Sequence, residues 1–271
     1  RLFLRFCEQL EFVADKTADR VMVPRVHAGE DVRDTVIDTE TAEKLLEYLT
    51  KYEYASMYHV GFYLLWHTGI RVGSLQALDV EDFHPGDRYI EVHHRPKTGT
   101  PLKNKHNGER EINLSSAICD VISDYVRVNR RNITEDSGRQ PLLTTRNRRA
   151  NSKLIQKWIY VITRPCHYSN ECPHCRTIEE CEATTYDTAS KCPSSVSPHP
   201  IRRGAITAHL RSEIPKEVVS ERANVSSRVI DDYYDYRNEM EKRHTRRKYL
   251  ENMLAHGLDG KPVEDDHDTA A

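Results

Sequence analysis

Two short runs that alternate between apolar and polar residues, RYIEVHH at 88–94 and REINL at 110–114, restrict this fold more than any other feature. Alternation with a period of two suits half-buried strands, and here the two runs flank a stretch rich in Lys, Gly, Asn and Pro. That pattern predicts a β-hairpin with a long basic loop. On both sides of it the periodicity is helical. In DTETAEKLLEYL, Asp38 or Thr39 can cap a helix whose Ala42, Leu45, Leu46 and Leu49 fall at i, i+3, i+4 and i+7. A second helix is predicted over 54–67, ending at Thr68-Gly69, and a short amphipathic one over 71–83 with Leu75 and Leu78 inward. Helical patterns resume at 115–130 and 150–162, and again across 199–256, with a long charged helix from about 232. Residues 1–20 also read as a helix, and 21–37, with Pro24 and Gly29, as a linker. The expected class is mainly α with a small antiparallel β-sheet (α+β).

Composition narrows the function classes without choosing one. With 38% hydrophobic and 30% charged residues the chain has the balance of a globular protein with a polar surface. Its longest apolar stretch, VGFYLLW at 60–66, is far too short to span a bilayer, and no signal peptide is evident, so a cytoplasmic protein without a membrane partner is expected. The chain begins RLFLRF rather than with Met, which suggests a natural start further upstream. A net charge of −2 is neutral on nucleic acid, but basic residues cluster at 95–110, 146–157 and 237–248, offset by acids at 30–40 and 264–271. DNA responds to such local fields rather than to the total.

The chemistry-bearing residues are scattered. In HPIRRG, His199 and Arg202 lie about one turn apart on the start of a helix and face the same way. Alone this is weak, and solvated or salt-bridged side chains would explain it equally well. Arg71, between Ile70 and Val72 in HTGIRVGSLQALDVEDF, approaches a buried face and therefore needs an anionic partner. The basic hairpin loop supplies lysines. ANVSSRVIDDYYDYR then places Tyr233, Tyr234 and Tyr236 together after Arg202.

Arg, Lys, His-x-x-Arg and Tyr in this order, across roughly residues 38–250, resemble the catalytic domain of the tyrosine recombinases, the phage-integrase and Xer-type family. The stretches YEYASMYHVGFYLLWHTGIR, HHRPKTGTPLKN, PHPIRRGAIT and YYDYR look most like archaeal integrases. The resemblance implies a catalytic DNA-breaking-rejoining domain at 38–256, the end of a helical core-binding domain plus linker at 1–30, and a flexible acidic tail at 257–271. It also implies double-stranded DNA as partner, a homotetramer on synapsed DNA, and strand transfer through a 3′-phosphotyrosyl intermediate with no ATP or catalytic cofactor. The matching positions are Arg71 and Arg202 as phosphate clamps, His199 as proton carrier, a hairpin lysine as acid, and a tyrosine nucleophile. Archaeal relatives' aromatic-Tyr-Asp pattern nominates Tyr234, whereas counting in Xer-type relatives selects Tyr233. Lys103 is chosen for the lysine, with Lys97 and Lys105 as alternatives, and Arg203 is expected to be a bystander. Two positions depart from the family: Ser74 where an acid is usual, and Asn224 where a His or Trp is usual. A silent DNA-binding module of the same fold and a type IB topoisomerase-like enzyme stand as the alternatives.

Five of the seven cysteines, Cys166, Cys172, Cys175, Cys181 and Cys192, fall within the segment 165–198, an insertion in the family core. Without secretory context such a cluster reads as metal ligation before disulfides. Cys172-Pro-His-Cys175 is a C-x2-C knuckle, with His167 and His174 as further ligand candidates. A structural zinc bracing His199 and an irregular loop with reduced thiols both remain open.

Overall fold

The computed structural model describes residues 1–22, 35–235 and 237–255. Contacts divide the chain into Arg1–Asp34 and Thr35–Ala271. In the first unit the expected single helix is two, α1 (Leu2–Gln9) and α2 (Thr17–Arg20). The break is a Schellman closure. Glu11 turns left-handed at φ 57, Phe12 N–H donates to Cys7 O and Glu11 N–H to Glu8 O. The Glu8 carboxylate then accepts from Ala18 N–H at 2.6 Å, which brings α2 back toward α1.

The second unit begins with α3 (Thr39–Tyr52), capped by Asp38, whose carboxylate accepts from Thr41 N–H at 2.7 Å. Ala42, Leu45 and Leu49 are fully buried, and Leu46 packs at the margin of the same core. Next comes α4 (Met57–Thr68), the most apolar helix, against which α3 and α5 (Val72–Ala77) pack. α5 is shorter than expected, because Asp79 and Asp82 close a 3-10 turn by capping each other's segment. The residues after it form a strand, β1 (Phe83–His84), which is too short to show alternation. The hairpin therefore supplies two strands of a three-stranded antiparallel sheet in the order β1-β2-β3. β2 (Tyr89–Val92) pairs Ile90 with Phe83 of β1 and with Ile112 of β3 (Arg110–Asn113), and these three residues face the core.

α6 (Ser116–Asp124) widens into a π turn over Tyr125–Asn129, and α7 (Ser152–Ile162) lays Trp158 against the core. Inside the cysteine segment, α8 (Pro165–Tyr168) and two 3-10 turns dock Ala183, Ala189 and Val196 inward. Arg164 ties the segment down through Ala183 O, and Thr163 Oγ1 accepts from Val196 N–H at 3.0 Å. All seven thiols are free. Among the described residues no three His, Cys, Asp or Glu side chains, Cys166, Cys172, Cys175, Cys181 and Cys192 included, are grouped closely enough to hold a metal ion.

α9 (Pro198–Arg211) runs against α4. Gly204 lets it pass close to the segment before α3 and to α4: a Cβ there would fall 2.1 Å from Ile37 O and 3.0 Å from the Trp66 ring. α10 (Lys216–Ala223) and α11 (Ser227–Tyr233) fold back on α9 around a second apolar cluster of Ile206, Leu210, Val219, Val225 and Ile230. α12 (Glu239–Ala255) follows. The tail 257–271 lies outside the described residues.

One feature of the core is ionic. Asp79, fully buried, accepts from Arg139 Nε at 2.7 Å and from Arg149 Nη2 at 2.6 Å, and Arg149 also pairs with Glu135. Arg95 forks onto Asp82 at 2.9 and 2.6 Å. Every arginine in this network has a carboxylate.

Candidate active site

Local chain reversals bring the scattered residues together. Gly69 ends α4 in the left-handed region at φ 64, and the turn sets Arg71 at the N-cap of α5. Asn224 ends α10 in the same region at φ 50; Val225 N–H donates to Ser220 O and Asn224 N–H to Glu221 O, a second Schellman closure. Both turns offer carbonyls to one side chain. Arg202, on the second turn of α9 and only 3% exposed, donates through Nη1 to Gly69 O at 2.6 Å and Ala223 O at 2.7 Å. It thus fastens the ends of α4 and α10 together.

Arg202 Nη2 is buried and completes no hydrogen bond. Its guanidinium carbon lies 6.0 Å from the centre of the Tyr234 ring. Burial first, and the nearby Arg71 second, push its pKa down to about 10, while Tyr234 acts in the opposite sense. The half-buried Arg71 donates from Nη1 to Asn224 Oδ1 at 3.3 Å. His199, one turn before Arg202, has its ring 6.1 Å from that of Tyr234, edge-on at 66°. Burial lowers its pKa, and Arg202, Arg203, Lys103 and Arg71 lower it further, so the neutral ring is favoured.

Tyr234 caps the end of α11 and is 7% exposed; Thr207 Oγ1 donates to its carbonyl at 2.7 Å. A cleft of about 530 Å3 is lined by Arg71, Lys103, His199, Arg202 and Tyr234, together with Asn224. The five expected site residues are therefore gathered at one place. Tyr233 and Tyr234 both pack with the Ile206 cluster, but Tyr234 lines the cleft and Tyr233 does not, and Tyr236 lies outside the described residues. Lys97 and Lys105 are exposed on turns away from its lining. Arg203, expected as a bystander, is buried at 3% exposure, and its charge acts on His199.

Two further arginines join the cluster. Arg110 donates from Nε to Arg222 O at 2.9 Å and from Nη1 to Gly108 O at 2.7 Å; burial, then Arg202, Arg71 and Arg222, push its pKa down to about 10. Arg222 donates to Asn113 O and His67 O. Among the described residues no carboxylate lies within 4.0 Å of Arg71, Arg110, Arg202 or Arg222. Sequence reading passed over Arg110, although a signal existed: on β3 it has the parity of the inward-facing Ile112, where a charge is out of place.

The fold agrees with comparison to known proteins. The profile of the phage integrase family matches residues 35–241. The chain belongs to the phage integrase family. Among solved structures, this integrase-family chain is similar to XerA recombinase, at 16% identity and a TM-score of 0.54, covering 89% of this chain and 68% of that one. It is similar also to the Tn1549 transposon integrase in complex with a circular intermediate DNA, at 14% identity and a TM-score of 0.62, covering 90% and 74%. A lambda integrase tetramer bound to a Holliday junction matches at 12% identity and a TM-score of 0.53, covering 87% of this chain and 57% of that one. At these identities the shared property is the fold. No match is found among curated protein sequences.

The two departures from the family pattern have definite places in this integrase-family fold. Ser74, 7% exposed, donates its N–H to Arg71 O at 2.9 Å and lines a smaller recess with Arg110 and Asn224. Asn224 points its amide into the cleft wall, between Arg71 and the hairpin loop.

Proposed function

We propose that this chain is a site-specific DNA recombinase that cleaves and rejoins strands through a 3′-phosphotyrosyl intermediate on Tyr234. The observation that supports this most is the ring of guanidiniums beside a tyrosine, with no carboxylate to balance it among the described residues. Buried charges are normally paired, and elsewhere in this molecule they are, around Asp79. A phosphodiester supplies the missing anion.

In the cleft, Arg71 and Arg202 hold the non-bridging oxygens and stabilise the charge that builds on them in the pentacoordinate transition state. His199, kept neutral by its surroundings, takes the phenol proton as the Tyr234 oxygen attacks phosphorus. The P–O5′ bond breaks, and Lys103 gives a proton to the departing 5′ oxygen. A 5′-hydroxyl from a second strand then attacks the phosphotyrosine, and the proton movements reverse. Each step exchanges one phosphate ester for another, so the balance needs no ATP. The DNA-bound integrase with this fold and the lambda integrase tetramer on a Holliday junction support duplex DNA as substrate and four protomers on synapsed DNA as the working assembly.

The test is trapping on a pool of random-sequence duplexes, each nicked near its centre so that the cleaved end is lost. A denaturant-resistant adduct, followed by joining of strands from two labelled duplexes, is expected. An adduct that rejoins only its own strand when the lost 5′-hydroxyl end is added back, and never a second duplex, would point to a topoisomerase-like enzyme, and no adduct with any duplex would point to a silent binding module.

A further inference from the structure

We propose that Asn224 is a positioning residue: it fastens the lysine-bearing half of the β2–β3 loop to the guanidinium cluster, so that Lys103 and Arg71 act in register. The proposal rests on the reading of the cleft as a strand-cleaving site. A left-handed helix cap asks only for a residue that tolerates φ 50, and glycine would serve that purpose without a side chain. The Asn224 side chain is nevertheless engaged at both ends of its amide. Its Oδ1 accepts from Arg71 Nη1 at 3.3 Å and from Asn104 Nδ2, and its Nδ2 donates to Asn107 O at 2.7 Å. One amide therefore holds the 3-10 turn that follows Lys103 at its start, Asn104, and within it, Asn107, and reaches the phosphate clamp as well.

The loop has two differently held halves. Its first half is anchored to the ionic core: Arg95 and Thr100 exchange backbone hydrogen bonds, and Arg139 Nη1 donates to the hydroxyls of Thr98 and Thr100 at 2.8 and 2.9 Å. Its second half has Leu102 buried beside Gly108 and Arg110 at its base, but Lys103 itself is exposed and makes no hydrogen bond or ion pair among the described residues. Nothing on the lysine fixes its own position, so its neighbours must. Asn104, the next residue, is held by Asn224. In this light the Asn that replaces the usual His or Trp spends its amide on the loop, and a proton shuttle is not its task.

Asn224→Gly removes the amide while keeping the left-handed turn unstrained. Hydrogen exchange on the DNA-free chain is the first measurement: peptides spanning 102–109 should exchange about 10-fold faster in the variant, as expected for a locally opened loop, with α9 and α10 unchanged. The second compares adduct formation on nicked duplexes carrying an ordinary 5′-oxygen or a bridging 5′-sulfur at the cleaved phosphate. A thiolate leaves without a proton, so a misplaced acid matters only for oxygen. Asn224→Gly should be slowed about 10- to 100-fold on oxygen, the scale for a group displaced by an ångström, and about 3-fold or less on sulfur. Lys103→Ala should show the same split. Unchanged loop exchange, or equal slowing on both substrates, overturns the proposal while leaving the cleavage reading in place. A wild-type chain inert on both substrates overturns the cleavage reading and this proposal with it.

Discussion

The guanidinium carbon of Arg202 lies 6.0 Å from the centre of the Tyr234 ring, and the same guanidinium holds the carbonyls of Gly69 and Ala223. One side chain thus has a packing duty and faces the proposed nucleophile. Arg202→Lys keeps a charge but loses the planar fork, so adduct formation should fall by about 100- to 1000-fold. Arg202→Ala should also destabilise by about 1–3 kcal/mol, because two buried carbonyls lose their donor. Urea unfolding and single-turnover trapping measure the two effects separately.

Arg71 predicts the reverse sign for stability. It sits in a cluster of like charges with no carboxylate nearby among the described residues, and burial lowers its pKa. Arg71→Ala should leave the chain as stable as before or slightly more so, while abolishing adduct formation. Inorganic phosphate, compared with chloride at equal ionic strength, should raise the melting temperature of the wild type through the charge cluster and do so less in the variant. A variant that melts well below wild type would contradict the assignment.

Asp79 tests the opposite kind of site. Replacing it by Ala strands Arg139 and leaves Arg149 with Glu135 alone, and a broken buried pair costs about 3–5 kcal/mol. The expected loss appears in the urea midpoint and needs no DNA to be seen.

Acid should unfold the chain early. Burial holds His59, His67 and His209 each at about 4, below the ordinary 6.5, with Arg222 adding to the effect at His67 and His209. These rings protonate more readily in the unfolded chain, so between pH 6.5 and 4 unfolding takes up protons. Their share of stability is present in full above 6.5 and is lost as pH falls toward 4. Urea midpoints measured across that range should decline, and His59→Gln should decline less steeply.

Much of this was legible in the sequence because the signals were local. Asp38 and the Ala42-Leu45-Leu49 stripe specify α3 by capping and periodicity, and the alternation of β2 and β3 specifies their pairing. Motif order brought out Arg71, Lys103, His199, Arg202 and Tyr234, and the fold places all five on one cleft. What escaped depends on contacts distant in sequence. β1 has two residues and cannot alternate, and it exists because β2 offers it an edge. The break after α1 is made by Glu11 in a conformation that no residue type announces. Arg203 and Arg110 look like ordinary surface charges until α9 and β3 are turned inward. The anchoring of the cysteine segment by Arg164 and Thr163 also depends on partners distant in sequence, Ala183 and Val196.

The central claim is that Tyr234, in the arginine-lined cleft, becomes bonded to DNA. Peptide mapping by mass spectrometry of the trapped adduct tests it directly. A nucleotide remnant on Tyr234, with the adduct lost in Tyr234→Phe and kept in Tyr233→Phe, is the expected result. A remnant on Tyr233 or Tyr236, or an adduct that survives Tyr234→Phe, would contradict it.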